Sequence, residues 1–496
     1  MSRSSGLLLH VTSLPSPYGV GDLGDGAARF VDALAEAGQR VWQVLPLVPV
    51  GQGNSPYASP STSALSPLLV SPDGLRADGL LTEADLAGAP SFPDDRVDFE
   101  AVGAFKERVL ATAFERFQDG AGGAALRESF ALFAEREAAW LDDYALFSAL
   151  KDAHGGAAWT EWPAPLAERD RSALDDARRD YAEAVGRERF DQFVVGRQWD
   201  ALRERCRAAG VEVLGDLPIY VAHDSADVWA DRDLFDLDGA GRPVDVAGVP
   251  PDYFSEDGQL WGNPLYRWDR MAERGYAWWR RRLRRTLALV DRVRLDHFRA
   301  FEAYWAVPAG EETARAGRWV EGPGDDLLDA LGDELGRPLP IVAEDLGLIT
   351  DGVRALIARH DLPGMTVLQF AFGGDAENVY LPHHHRPRQV AYTGTHDNDT
   401  TAGWWAAAPP AVREHVERYL GPSGEPVHRR FVRAAWASPA ELAVAPVQDV
   451  LGLGSGARMN TPGEGEGNWG WRMTGADLDA LPLGWLRDLT EATGRA

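Results

Sequence analysis

A single cysteine, Cys206, in 496 residues leaves no partner for an internal disulfide, so a reducing compartment, the cytoplasm, is expected. Basic residues are scarce beside acidic ones, 50 Lys and Arg against 76 Asp and Glu, a formal net charge of −26. That field repels phosphate backbones and anionic lipid, so neither nucleic acid nor a membrane surface is an expected partner. No apolar run approaches the roughly 20 residues that span a bilayer. The opening run Gly6-Leu7-Leu8-Leu9-His10-Val11 is too short for a signal sequence, meets Pro15 without a small-residue cleavage site, and reads as a buried strand. Internal repeats, Gly/Ser linkers and low-complexity segments are absent as well, which predicts one folding unit.

Aromatic residues are abundant: 18 Trp, 12 Tyr and 18 Phe. Most must lie in the core, yet flat rings also suit the C–H faces of sugars. Eight short apolar runs alternate with helical patterns: 7–11, 41–45, 211–215, 293–296, 341–344, 366–370, 390–395 and 442–447. Being apolar on both faces, they predict an α/β fold, a (β/α)8 TIM barrel covered on both sides of its sheet. The spacing is uneven, and it predicts two inserted subdomains in a single catalytic barrel spanning 1–496. Residues 46–210 form the first, mainly helical, with Phe190, Phe193, Val194 and Trp199 recurring near helical spacing. Residues 217–291 form the second, including an aromatic lid loop at 250–266 rich in Pro and Gly.

In such a barrel, functional groups sit at the C-terminal strand ends. There the sequence places Asp216, Asp296, Glu344, Gln369, His396 and Asp397. Strand alternation puts Arg294 and Asp296 on one face, where the guanidinium favours the charged carboxylate. Glu344 reaches the same mouth from the next strand. One carboxylate that stays ionised beside one that holds a proton is what cleavage of a glycosidic bond requires.

Ordered motifs extend this pattern along nearly the whole chain: Leu14-Pro15-Ser16-Pro17-Tyr18-Gly19, Ser55-Pro56-Tyr57, Gly215-Asp216-Leu217-Pro218, Gly248-Val249-Pro250-Pro251-Asp252-Tyr253-Phe254, Trp261-Gly262-Asn263-Pro264, Arg294-Leu295-Asp296-His297, Ala343-Glu344-Asp345, Thr395-His396-Asp397-Asn398-Asp399 and Arg458-Met459-Asn460. In these the chain resembles the amylomaltase, or 4-α-glucanotransferase, family of the α-amylase-like glycoside hydrolases. The resemblance implies Asp296 as nucleophile, Glu344 as acid and then base, and Asp397 as transition-state stabiliser. It implies that Tyr57, Arg294, His396 and Asn460 surround the sugar, that Tyr253, Phe254 and Trp261 sit on a mobile loop over the acceptor side, and that Asp216, Asn263 and His297 also bind substrate. The implied partners are α-1,4-glucans and maltooligosaccharides, with no cofactor, no metal, and a monomer or weak homo-oligomer. Two positions depart from the family: Val11 stands where Pro is usual, and Glu464 follows Gly463 where Thr or Val is common.

Rival readings have sequence support of their own. Asp397-Asn398-Asp399 matches the metal-binding DxD of nucleotide-sugar glycosyltransferases, although no glycine fingerprint for a nucleotide accompanies it. An α-glucan hydrolase, or a glucan binder without catalysis, shares the same motifs in part. His383-His384-His385 cannot turn three consecutive side chains onto one ion and reads as a solvated loop. The glycine-rich 452–456 lacks the lysine of a phosphate loop.

Overall fold

The computed structural model describes residues 3–251 and 255–496. Eight parallel strands form one sheet: β1 (Ser4–Leu8), β2 (Val41–Gln43), β3 (Glu212–Leu217), β4 (Arg292–Leu295), β5 (Ile341–Ala343), β6 (Gly364–Val367), β7 (Gln389–Tyr392) and β8 (Leu442–Pro446). Each of the eight apolar runs supplies one strand, and β1 pairs with both β2 and β8, so the sheet curls round as a barrel. Side chains alternate across it. Leu8, Val41, Leu214, Val342, Met365, Val390, Tyr392 and Val444 fill the interior, while Leu7, Trp42 and Val213 face the surrounding helices. Inside, the Tyr392 hydroxyl donates to the Gln43 amide oxygen at 2.9 Å. Gly6 is needed where β1 and β2 approach, because a Cβ there falls 2.2 Å from the Val41 carbonyl oxygen.

Between β5 and β6 the strand ladder gives way to two isolated bonds. The Ala343 N–H donates to the Pro363 carbonyl at 2.9 Å, and the Met365 N–H donates to the Asp345 carboxylate at 2.6 Å. A side chain thus closes the barrel directly beside Glu344.

The connection from β2 to β3 carries the long helices Phe99–Gln118, Gly123–Ala153 and Ala182–Ala208. Phe114, Phe117, Phe130, Phe133, Phe190 and Phe193 interlock between them. The last helix also returns to the barrel, where the Trp199 indole N–H donates to the Leu289 carbonyl. One continuous apolar cluster joins these rings to the barrel's outer layer. Among the described residues no helix is long and apolar enough to cross a membrane.

The segment 250–266 differs from the aperiodic loop expected of it. Tyr253 and Phe254 lie outside the described residues, but Gln259–Pro264 is a strand. It is the edge of a four-stranded antiparallel sheet with Asp245–Val249, Ala303–Pro308 and Arg318–Glu321. Two of these strands come from the β4–β5 connection, so this sheet draws on chain beyond residue 291. Its strands pair across distant connections and are broken by Pro and Gly, so no single stretch of sequence shows a clear two-residue period.

Candidate active site

The strands β3 and β4 pair with Asp216 opposite Arg294, both facing inward. Arg294 is buried, and one of its terminal nitrogens donates to both Asp216 oxygens at 3.0 and 2.8 Å. Its other terminal nitrogen lies 2.7 Å from Asp296. Strand β4 ends at Leu295, so Asp296 is the first residue into the mouth, and 30% of its side chain is open to solvent. Asp216 is enclosed instead, accepting from the Tyr57 hydroxyl at 2.8 Å. Burial raises the Asp216 carboxyl above its usual range and Arg294 opposes that rise. The guanidinium therefore spans two carboxylates, one sealed in and one partly open to solvent.

Glu344 follows β5 in the same manner. Its two oxygens accept backbone N–H groups from His297 at 2.9 Å and Leu346 at 2.8 Å. His297 makes this bond from a left-handed conformation, φ 51°, which is uncommon for a residue with a side chain. Burial, and then the charge of Asp296, push the Glu344 carboxyl up to about 8, against the pull of Arg294 and the Leu346 amide. At neutral pH Glu344 thus holds a proton beside a carboxylate held by arginine. Burial brings the His297 imidazole down to about 4, leaving it neutral.

The loop after β7 carries His396 and Asp397. Asp397 accepts from the Asn460 amide at 2.6 Å and lies 3.3 Å from His396 Nε2. The Asn460 N–H in turn donates to the His396 carbonyl. His396 stacks on Tyr57, ring centroids 5.3 Å apart and 11° from parallel, and Tyr57 is the ring whose hydroxyl reaches Asp216. The barrel mouth thus gathers Tyr57, Asp216, Arg294, Asp296, His297, Glu344, His396, Asp397 and Asn460.

Two contributors escape the sequence reading. Trp469 sits 5.7 Å from Tyr57 and 6.0 Å from His396, centroid to centroid, completing a three-ring cluster. Its φ of 66° is another left-handed outlier, and its N–H donates to Met459 next to Asn460. Asp449 is buried behind the β7 loop, where it accepts from the hydroxyls of Thr393 and Thr401. One tryptophan among 18 gives no local signal; the flanking Asn468 and Gly470 are the only hint of a tight turn.

Trp261, on the strand Gln259–Pro264, meets His297 edge to face at 4.7 Å and stays 37% exposed. Asn263 is spent differently: its amide donates to the Val221 carbonyl at 2.9 Å and ties this strand to the chain leaving β3. Tyr253 and Phe254 are outside the described residues. Gln369 donates to the Asp399 carbonyl, and Asn398 accepts from the Thr395 N–H and hydroxyl, building the turn that presents Asp397. His383 bonds Tyr419 and Ala376, His384 bonds Ala376, and His385 is buried against Tyr380. Among the described residues no group of three His, Cys, Asp or Glu side chains is placed to hold a metal ion.

Comparison with known proteins follows the same outline. The glycoside hydrolase 77 family model, described as 4-alpha-glucanotransferase, matches residues 9–478. The 4-alpha-glucanotransferase of Thermus thermophilus is 50% identical over 503 aligned positions, spanning 100% of this chain and 99% of that protein. The 4-alpha-glucanotransferase of Synechocystis is 48% identical, spanning 99% and 98%. Among solved structures, an amylomaltase from Streptococcus agalactiae in complex with acarbose superposes with a TM-score of 0.96 at 34% identity, covering all of both chains. An amylomaltase from Corynebacterium glutamicum shares the fold, with a TM-score of 0.81 at 19% identity over 100% of this chain and 75% of that one.

Proposed function

The chain belongs to the 4-alpha-glucanotransferases of glycoside hydrolase family 77, and from that premise we propose a retaining transfer of α-1,4-glucan segments through a covalent ester on Asp296. Asp296 attacks the anomeric carbon. Glu344, protonated at neutral pH, gives its proton to the departing 4-oxygen. The ester so formed has inverted configuration. The 4-hydroxyl of an acceptor glucan then displaces Asp296, Glu344 takes the acceptor's proton, and the α configuration returns.

The observation that carries this reading is the unequal treatment of two neighbouring carboxyl groups. Asp296 is pinned by Arg294, whereas Glu344 is buried and keeps its proton. The positive charge that builds on the sugar ring falls within reach of Asp397, which Asn460 and His396 hold in place. Asp216, its side chain sealed from solvent behind Arg294, positions that arginine and Tyr57. That a related amylomaltase was solved in complex with acarbose supports a sugar ligand for this chain as well. Trp261 and its neighbours favour transfer over hydrolysis by occupying space that water would fill.

A fluoride donor separates the two roles, because fluoride leaves without needing a proton. Glu344→Gln protein given an α-maltosyl fluoride should accumulate a covalent adduct, read as a mass increase on the peptide containing Asp296. Asp296→Asn should form no adduct and should lose maltotriose disproportionation by about four orders of magnitude. An adduct on another residue, or activity retained in Asp296→Asn, removes Asp296 from the nucleophile role.

A further inference from the structure

Trp319 stands in the strand Arg318–Glu321, at the edge of the small sheet, and leaves 43% of its surface in solvent. Exposed as it is, the ring is firmly held. The Arg299 guanidinium carbon lies 4.0 Å from its centroid, a cation–π contact. Trp305 meets it at 5.1 Å and 67°. Trp305 is itself fixed by its indole N–H, which donates to the Ala314 carbonyl at 2.8 Å.

Arg299 joins this ring to the mouth. It is a buried cation three residues beyond Asp296, and it donates to the carbonyl of Leu348, four residues beyond Glu344, at 2.7 Å. Among the described residues its Nε has no hydrogen-bond partner. Leu348 is 58% exposed. The loops that carry the two reacting carboxyl groups are therefore bridged by an arginine whose planar head lies against an exposed indole. Nothing in the chemistry at the pit calls for that arrangement.

We propose that Trp319 is the platform of a remote subsite, taking glucose units of an α-1,4-glucan too long to be contained in the pit. The ring presents a flat, electron-rich surface to sugar C–H groups. Arg299 keeps it in one orientation, so little freedom is lost when a chain settles on it. The inference rests on the glucanotransferase reading above and adds a chain-length preference to it.

The test compares maltotriose with long-chain amylose as substrates. Trp319→Ala and Trp319→Leu should raise KM for amylose by about fivefold, equivalent to about 1 kcal/mol, and raise it for maltotriose less than half as much. Trp319→Phe, which keeps a flat ring, should restore most of the amylose affinity. Trp319→Leu retains apolar bulk against Trp305, so a loss shared by Leu and Ala but not by Phe reports the ring and not the fold. Leu132→Ala, an exposed apolar residue on the helical subdomain, should move neither value. An equal change for both substrates, or no change for amylose, overturns the subsite. Failure of the unmodified protein to convert maltotriose into glucose and longer chains would instead overturn the glucan reading itself.

Discussion

In the proposed mechanism Glu344 carries a proton when the donor binds and releases it as the glycosidic bond opens. Burial and Asp296 raise its carboxyl to about 8, so it is protonated below that pH and ionised above it. Transfer measured from about pH 6 to 9.5 should therefore hold steady and then fall as pH rises through about 8. A limb displaced to pH 5 or below would show that Glu344 is not the group donating the proton. The same residue was legible in the sequence as a strand-end carboxylate, because strand alternation is local. The two amides that grip it were not legible, since one belongs to His297, whose left-handed conformation nothing in the sequence demands. Asp216 shows the reverse limit. Its motif placed it at the mouth, but only the register of β3 against β4 shows that Arg294 encloses it.

At the level of elements, the barrel strands were readable because both their faces are apolar, which few other structures require. The small antiparallel sheet was not, since its strands pair across two connections and one of them, Gln259–Pro264, holds a glycine and a proline. That strand brings Trp261 against His297 at the mouth. Removing the indole in Trp261→Ala opens space beside His297 and should raise the ratio of free glucose released by water to glucose moved between chains. The ratio is read by comparing reducing ends with disproportionation products of maltotriose. A ratio equal to that of the parent protein would show that this strand does not restrict water.

On the scale of the whole molecule, a net charge of −26 surrounds a site whose proposed substrates are uncharged. Salt screens the field without altering the attraction of a neutral sugar. Accordingly, kcat/KM for maltotriose should change by less than about twofold between low salt and about 0.5 M NaCl. A steep salt dependence would point to a charged substrate of the nucleotide-sugar type.

The Asp345 contact to Met365 makes the barrel wall uneven. Seven of its joints are stitched by several backbone bonds, and the eighth is held by one backbone bond and buttoned by one carboxylate. Under mild denaturant the garment should come undone there first, so deuterium should enter the amides of Gly364–Val367 before those of Leu442–Pro446, which are sewn to neighbours on both sides. Simultaneous uptake in the two stretches would mean that one button is as strong as a seam. Because that join adjoins Glu344, early exchange there would put the loosest part of the scaffold within reach of the proton that the proposed reaction moves.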